Sequence, residues 1–228
     1  MIIDLKNVSF CWPSQQEPTL SIASMQVQKG EHVFLHGPSG SGKTTLLNLL
    51  TGINTPQSGQ IELLGTDIAQ LSEAKRDRFR ADHLGVIFQQ FNLLPYLSVL
   101  ENVLLSCDFS PHRQKKAGNA QEAATRLLLN MEITEAQLHS EVSNLSMGQQ
   151  QRVAVARALI GQPEVIIADE PTSALDTDNR DRFLDLLFSE SEKYGSTLLF
   201  VSHDSHIQQR FKRTISLAEI NKTERARQ

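Results

Sequence analysis

Nothing in this sequence could build a covalent framework. Its 228 residues hold two cysteines, Cys11 and Cys107. That is too few for a disulfide scaffold, and both read as small buried hydrophobes suited to a reducing compartment. No apolar run approaches the ~20 residues that a membrane-crossing helix needs. The start, Met1-Ile2-Ile3-Asp4-Leu5-Lys6, lacks a basic stretch followed by an apolar core, so no signal peptide is expected. Charge of one sign is missing too: 22 Lys and Arg face 26 Asp and Glu, a net −4, which argues against nucleic acid as the main partner. Lys222, Arg225 and Arg227 near the end read as solvated. There is no internal repeat and no low-complexity tract. What remains, 39% hydrophobic and 21% charged residues, is ordinary for a soluble globular chain of one large domain or two small ones.

Within that ordinary background one run stands apart. Gly37 to Thr45 reads GPSGSGKTT and fits the phosphate-loop pattern G-x-x-x-x-G-K-[ST]. Gly37, Gly40 and Gly42 let the backbone curl until successive N–H groups face one anion. Lys43 adds a mobile positive charge for the β- and γ-phosphates, and the Thr44 hydroxyl can ligate a bridging Mg²⁺. Val33, Phe34 and Leu35 before it predict a buried strand. Leu46, Leu47, Leu49 and Leu50 after it have helical spacing, so a helix N-terminus faces the phosphate. These residues predict binding of a nucleoside triphosphate.

Around this loop the chain reads as an α/β core. Ile3-Asp4-Leu5 and Val8-Ser9-Phe10 alternate before Pro13-Ser14 breaks the pattern. Residues 91–143 are helical in character, with Ala123, Leu127, Leu128 and Met131 at helical spacing; Pro111 to Gly118 reads as a basic, loop-like connector. Val165 to Ala168 and Thr197 to Val201 look like parallel strands buried on both faces, with a helix over Asp178 to Leu187 between them.

The strand Val165-Ile166-Ile167-Ala168 ends in Asp169 and Glu170, and strand ends are where ligands sit in an α/β sheet. Asp169 would hold the Mg²⁺ shell and Glu170 would orient and polarise the attacking water. A solvated turn is the alternative for such a pair seen alone. Leu145-Ser146-Met147-Gly148-Gln149-Gln150-Gln151-Arg152 opens an Ala/Val-rich helix, with Ser146 as N-cap and Gly148 allowing close approach of an anion.

This last run resembles the signature of the ATP-binding cassette (ABC) ATPases, usually Leu-Ser-Gly-Gly-Gln, with Met147 at the first glycine. The resemblance spans about residues 1 to 218. Gln89, after Gly85-Val86-Ile87-Phe88, matches the glutamine that senses Mg²⁺ and the attacking water. Ser173-Ala174-Leu175-Asp176 matches the loop that crosses the dimer interface, and His203 the histidine that contacts the γ-phosphate. Trp12 falls where an adenine-stacking aromatic belongs, a task that needs only a flat π-face. The resemblance implies a single domain over residues 1–228. It would have a phosphate-loop (RecA-like) core from residues 1–90 and 150–228, including an N-terminal antiparallel β subdomain, and an inserted helical subdomain over 91–149. It further implies that Gly37, Pro38, Ser39, Gly40, Ser41, Gly42, Lys43, Thr44 and Thr45 hold ATP. Ser146, Met147, Gly148 and Gln149 would come from the facing copy of a homodimer, and Mg²⁺ would be held by Thr44, Gln89 and Asp169.

Leu71 to Gln90 and Phe91 to Val103 look like the branch of lipoprotein-releasing, macrolide-export and cell-division ATPases, whose permeases carry a large periplasmic domain. Polar amino-acid importers share the second pattern. The expectation is a peripheral subunit on the cytoplasmic side of the inner membrane, docked to separate permease subunits, with no C-terminal regulatory domain. Phe91, Leu93, Leu94, Pro95 and Tyr96 would be docking contacts or ordinary core. Alternatives are an importer subunit, a non-transport ABC ATPase, or a phosphate-loop kinase, which would need neither Ser146–Gly148 nor His203.

Overall fold

The structure is a computed structural model that describes residues 1–172 and 177–223, and of residues 177–179 the backbone alone. The loop expected at Ser173-Ala174-Leu175-Asp176, with Arg225 and Arg227, lies outside the described residues. The chain divides into two compact units, Met1–Arg80 with Thr197–Gln228, and Ala81–Ser196.

The first unit opens with β1 (Ile3–Phe10) and β2 (Leu20–Val27), followed by β3 (His32–His36), α1 (Lys43–Leu50), β4 (Ser58–Leu63), β5 (Thr66–Asp67) and the start of α2 (Glu73–His83), whose residues from Ala81 on belong to the second unit. An antiparallel sheet runs β2-β1-β4-β5. The two short alternating stretches expected in β1 are one strand. Its alternation slips because Asn7 takes φ +51°, with a register shift against β4 between Lys6 and Ser9. Gly59 makes room for this bulge: a Cβ there would lie 2.3 Å from the Asn7 carbonyl oxygen. Ile3, Leu5, Val8 and Phe10 are buried across the slip.

The second unit contains β6 (Leu84–Ile87), α3 (Val99–Asp108), α4 (Pro111–Ala117), α5 (Ala120–Asn130), α6 (Met147–Leu159), β7 (Val165–Asp169) and α7 (Thr177–Tyr194). The expected helix at residues 120–131 is α5, with Ala123, Leu127, Leu128 and Met131 all buried. The connector expected at Pro111–Gly118 is helical instead. Ser110 Oγ accepts the Arg113 N–H, Pro111 occupies the first turn where its missing donor costs nothing, and Arg113 is buried rather than solvated. Its guanidinium donates to the carbonyls of Ile160 (2.8 Å), Ala158 and Leu84. Burial lowers the Arg113 pKa to about 10, which leaves it a cation at neutral pH. Buried β6 pairs in parallel with β7, Leu84 beside Val165 and Ile87 beside Ala168.

The chain returns to the first unit with β8 (Thr197–Val201), α8 (Ser205–Gln208), β9 (Arg213–Ser216) and α9 (Leu217–Ile220). Here β3 lies between β8 and β9, parallel to both. Phe34 of β3 packs on Phe200 and Phe211 with ring centroids 6.2 and 5.4 Å away. Fully burying a side chain of this kind stabilises by about 1.5–3 kcal/mol. This core holds β3 fixed directly under the loop that follows it. Among the described residues no helix is long and apolar enough to cross a membrane.

Candidate functional site

In the first unit the turn after β3 is built from backbone. Gly40 and Gly42 take φ +80° and +99°, which L side chains rarely adopt, and a Cβ on Gly37 would lie 2.7 Å from Ser41 Oγ. Lys43 folds back over the loop: its Nζ donates to the carbonyls of Gly37 (2.8 Å) and Pro38 (3.2 Å). Pro38, Ser39, Gly40 and Thr44 are exposed, whereas Ser41 and Thr45 are buried.

The start of α1 differs from those of α3, α4, α5 and α6. Ser98, Ser110, Asn119 and Ser146 cap α3, α4, α5 and α6 with side-chain oxygens. Gly42 offers α1 no side-chain cap, and the first turn of α1 carries no acidic residue. Its leading N–H groups and the positive end of its dipole are therefore directed at whatever lies above the loop, a natural place for an anion.

Two predicted residues sit beside this loop. Trp12 Nε1–H donates to Thr45 Oγ1 at 3.4 Å, and the indole meets Phe10 edge-on at 5.0 Å. His203, exposed after β8, lines a cavity of about 300 Å³ with His36, Gly37, Pro38, Gln208 and Ser216. A residue the sequence did not single out, Asn221, fixes the loop from beneath. Buried, it accepts from Ser21 N–H (2.8 Å) and donates to the carbonyls of Thr19 (3.0 Å) and Ser41 (3.4 Å).

The second unit carries the remaining described candidate residues. Because Ile87 pairs with Ala168, Gln89 and the Asp169–Glu170 pair follow neighbouring strand ends at one edge of the parallel pair. Glu170 takes φ +45°, a conformation that costs a non-glycine residue on the order of 1–3 kcal/mol. Ser146 and Gln149 form a reciprocal capping box at the start of α6, and Met147 beside it is 55% exposed.

Two side chains of α6 reach these loops, and neither is marked by a local pattern. Buried Gln151 donates through Nε2 to the carbonyl of Pro171, next to Glu170. Arg157 donates to the carbonyls of Asn92 (2.6 Å) and Phe91, two residues in the left-handed region at φ +49° and +59°. Asn102, wholly buried, holds the following stretch by bonds to Leu94, Leu97 and Ser98. Of the five candidate docking residues, Phe91 is core, Leu93 and Leu94 are half-buried, and Pro95 and Tyr96 are exposed, Tyr96 by 73%.

The chain is similar to known proteins. A family model described as "ABC transporter" matches residues 20–173. The uncharacterised ABC transporter ATP-binding protein YbbA of Escherichia coli (strain K12) is 40% identical over 206 residues, 89% of this chain and 89% of that protein. The lipoprotein-releasing system ATP-binding protein LolD of Bacteroides fragilis is 36% identical over 220 residues, 96% of this chain and 99% of that one. Among solved structures, the ATP-binding cassette MJ0796 of Methanocaldococcus jannaschii, in a dimeric post-hydrolysis state bound to ADP and Pi, superposes with a TM-score of 0.82. It is 34% identical, with 94% of this chain and 93% of that chain covered. The expected fold, an α/β cassette core with an antiparallel β portion and a helical insertion, is the one these relatives have.

Proposed function

We propose, from the premise that this chain belongs to the ABC transporter family and is one of its ATP-hydrolysing subunits, that two copies close head to tail around two ATP molecules to drive a separate permease. The observation that carries the reading is the start of α1: positive-φ glycines, a lysine arched over the loop and a helix end without a side-chain cap. The solved dimer of MJ0796 with ADP and Pi supports the two-copy arrangement.

The roles divide among residues. Backbone N–H groups from Gly37 to Thr45, with Pro38, Ser39 and Ser41 shaping the turn, cradle the phosphates, and the Lys43 ammonium neutralises the β- and γ-phosphates. Trp12 stacks on adenine through its ring face. Glu170 accepts a proton from the attacking water and orients it, and His203 hydrogen-bonds the γ-phosphate. Ser146, Met147, Gly148 and Gln149 of the second copy face the nucleotide. The donors Thr44 Oγ1, the Asp169 carboxylate and the Gln89 amide are hard oxygens suited to Mg²⁺, which would draw charge off the transferred phosphoryl group.

The same reading places the subunit peripherally on the cytoplasmic side of the inner membrane. Its work would be export, extraction or mechanotransmission beside a permease with a large periplasmic domain; the relative named as a lipoprotein-releasing system ATP-binding protein supports the extraction reading. Pro95 and Tyr96, held outward by Asn102, are the proposed docking contacts. The test is Glu170→Gln in Mg-ATP. Turnover falls by at least about a hundredfold, as loss of a general base allows, while light scattering finds a nucleotide-dependent dimer. A variant that hydrolyses at the wild-type rate, or stays monomeric with its permease present, overturns the reading.

A further inference from the structure

We propose that His83, His112 and Glu164 form a binding site for a divalent transition cation of the zinc class. One ligand atom from each lies within 4.8 Å of the others. His83 Nδ1 is 3.0 Å from Glu164 Oε2, His112 Nε2 is 3.9 Å from Glu164 Oε1, and the two imidazoles stand 5.1 Å apart, tilted by 51°. His112 Nε2 is buried as an atom yet has no hydrogen-bond partner among the described residues. Ligand atoms around a tetrahedral zinc at about 2.0–2.2 Å are separated by roughly 3.3–3.6 Å, so the widest pair needs to close by at most about 1.5 Å. Two imidazoles and a carboxylate with a fourth position left for water are a donor set that zinc accepts and that Mg²⁺ and Ca²⁺ do not prefer.

The three residues come from separate elements that the fold holds independently. His83 ends α2 and Glu164 precedes β7; the pairing of Leu84 with Val165 sets them side by side at the start of the parallel strands. His112 comes from α4, which is tied down by Ser110 Oγ to the Asp82 carboxylate (2.5 Å) and by Arg113 to three backbone carbonyls. The cluster lies at the end of the strands opposite Gln89 and Asp169, a four-residue strand away, roughly 13 Å. It is therefore separate from the proposed catalytic chemistry.

Lys116 is the competitor. One turn beyond His112 on α4, its ammonium sits 2.5 Å from Glu164 Oε1 and 3.1 Å from the Gln162 carbonyl. A cation entering the site displaces that ammonium from the carboxylate. Removing Lys116 therefore strengthens metal binding, whereas a cluster serving only as an ion-pair tie would bind no metal with or without it.

The experiment uses the whole chain, stripped of metal by chelator and without nucleotide. Zn²⁺ binding is followed by calorimetry and Co²⁺ binding by visible absorption. The expected result is one equivalent bound with micromolar or tighter affinity and the intense visible bands of four-coordinate Co²⁺. His112→Gln weakens binding by more than about tenfold, the smaller end of what even outer-shell partners cost, Lys116→Met strengthens it, and His139→Ala, at an exposed histidine outside the cluster, leaves it unchanged. Absence of saturable binding, equal binding by His112→Gln, or weaker binding by Lys116→Met overturns the proposal.

Discussion

The turn after β3 and the loops around α6 solve the same problem, holding backbone in an unfavourable conformation, by opposite means. At Gly37–Thr45 the strained positions are glycines and the stabilising contacts are local: Lys43 reaches carbonyls five and six residues back. Around α6 the strained positions are Phe91, Asn92 and Glu170, none of them glycine. There the loops are held by side chains distant in sequence, Arg157 from 65 and 66 residues away and Gln151 from 20. A loop of the first kind tolerates loss of its charged side chain without loss of fold, because glycine removes the backbone cost. A loop of the second kind depends on its clamps, since each lost donor leaves a strained turn and an unpaired carbonyl.

The sharpest way to break this contrast is Lys43→Ala. Two charge-assisted hydrogen bonds to phosphate at ~1.5 kcal/mol each predict that ATP affinity falls by more than about a hundredfold. The unfolding midpoint in urea without nucleotide should stay close to wild type, because among the described residues Lys43 bonds only to carbonyls of its own partly exposed loop. A large loss of stability would mean that the loop is clamped after all.

Arg113→Ala is the complementary test and should cost about 3 kcal/mol. Three carbonyls, those of Ile160, Ala158 and Leu84, lose a buried cationic donor together. Urea unfolding measures the loss, and one below about 1 kcal/mol would show that water replaces the guanidinium there. The site is tightly built: a Cβ on Gly161 would lie 2.5 Å from Arg113 Cβ, and one on Gly85 would lie 2.4 Å from the Ala158 carbonyl oxygen.

This difference also decides what could be read beforehand. The phosphate loop, its flanking strand and helix, and the leucines of α1 were legible because pattern and cause lie in one contiguous stretch. So were the strand leading to Asp169 and the Ser146 cap. The helix α4 was not: its composition is basic and polar, and it is helical because Ser110 caps it and Arg113 is drawn inward by carbonyls from 45 and 47 residues away. The choice between core and surface for Phe91 and Tyr96 was open for the same reason. Five residues apart, they part company at a left-handed turn that Arg157 holds. Asn221 carries no local pattern; its meaning lies in partners 180 to 202 residues away.

The smallest predicted effect probes the border between the two regimes. Met147 is the first residue of α6, and the resemblance to the family's signature sets it where glycine is usual. Its side chain is exposed, and the capping box that shapes the loop is made by Ser146 and Gln149. In that geometry residue 147 contributes backbone alone. Met147→Gly should therefore cost at most about 1 kcal/mol of stability, the helix-propensity difference. It should change ATP turnover by less than about threefold, under 0.7 kcal/mol of interaction. A larger change in turnover with stability intact would show that the thioether side chain takes part in closing the loop on its target. The start of α6 would then belong with the clamped loops rather than with the glycine-built one.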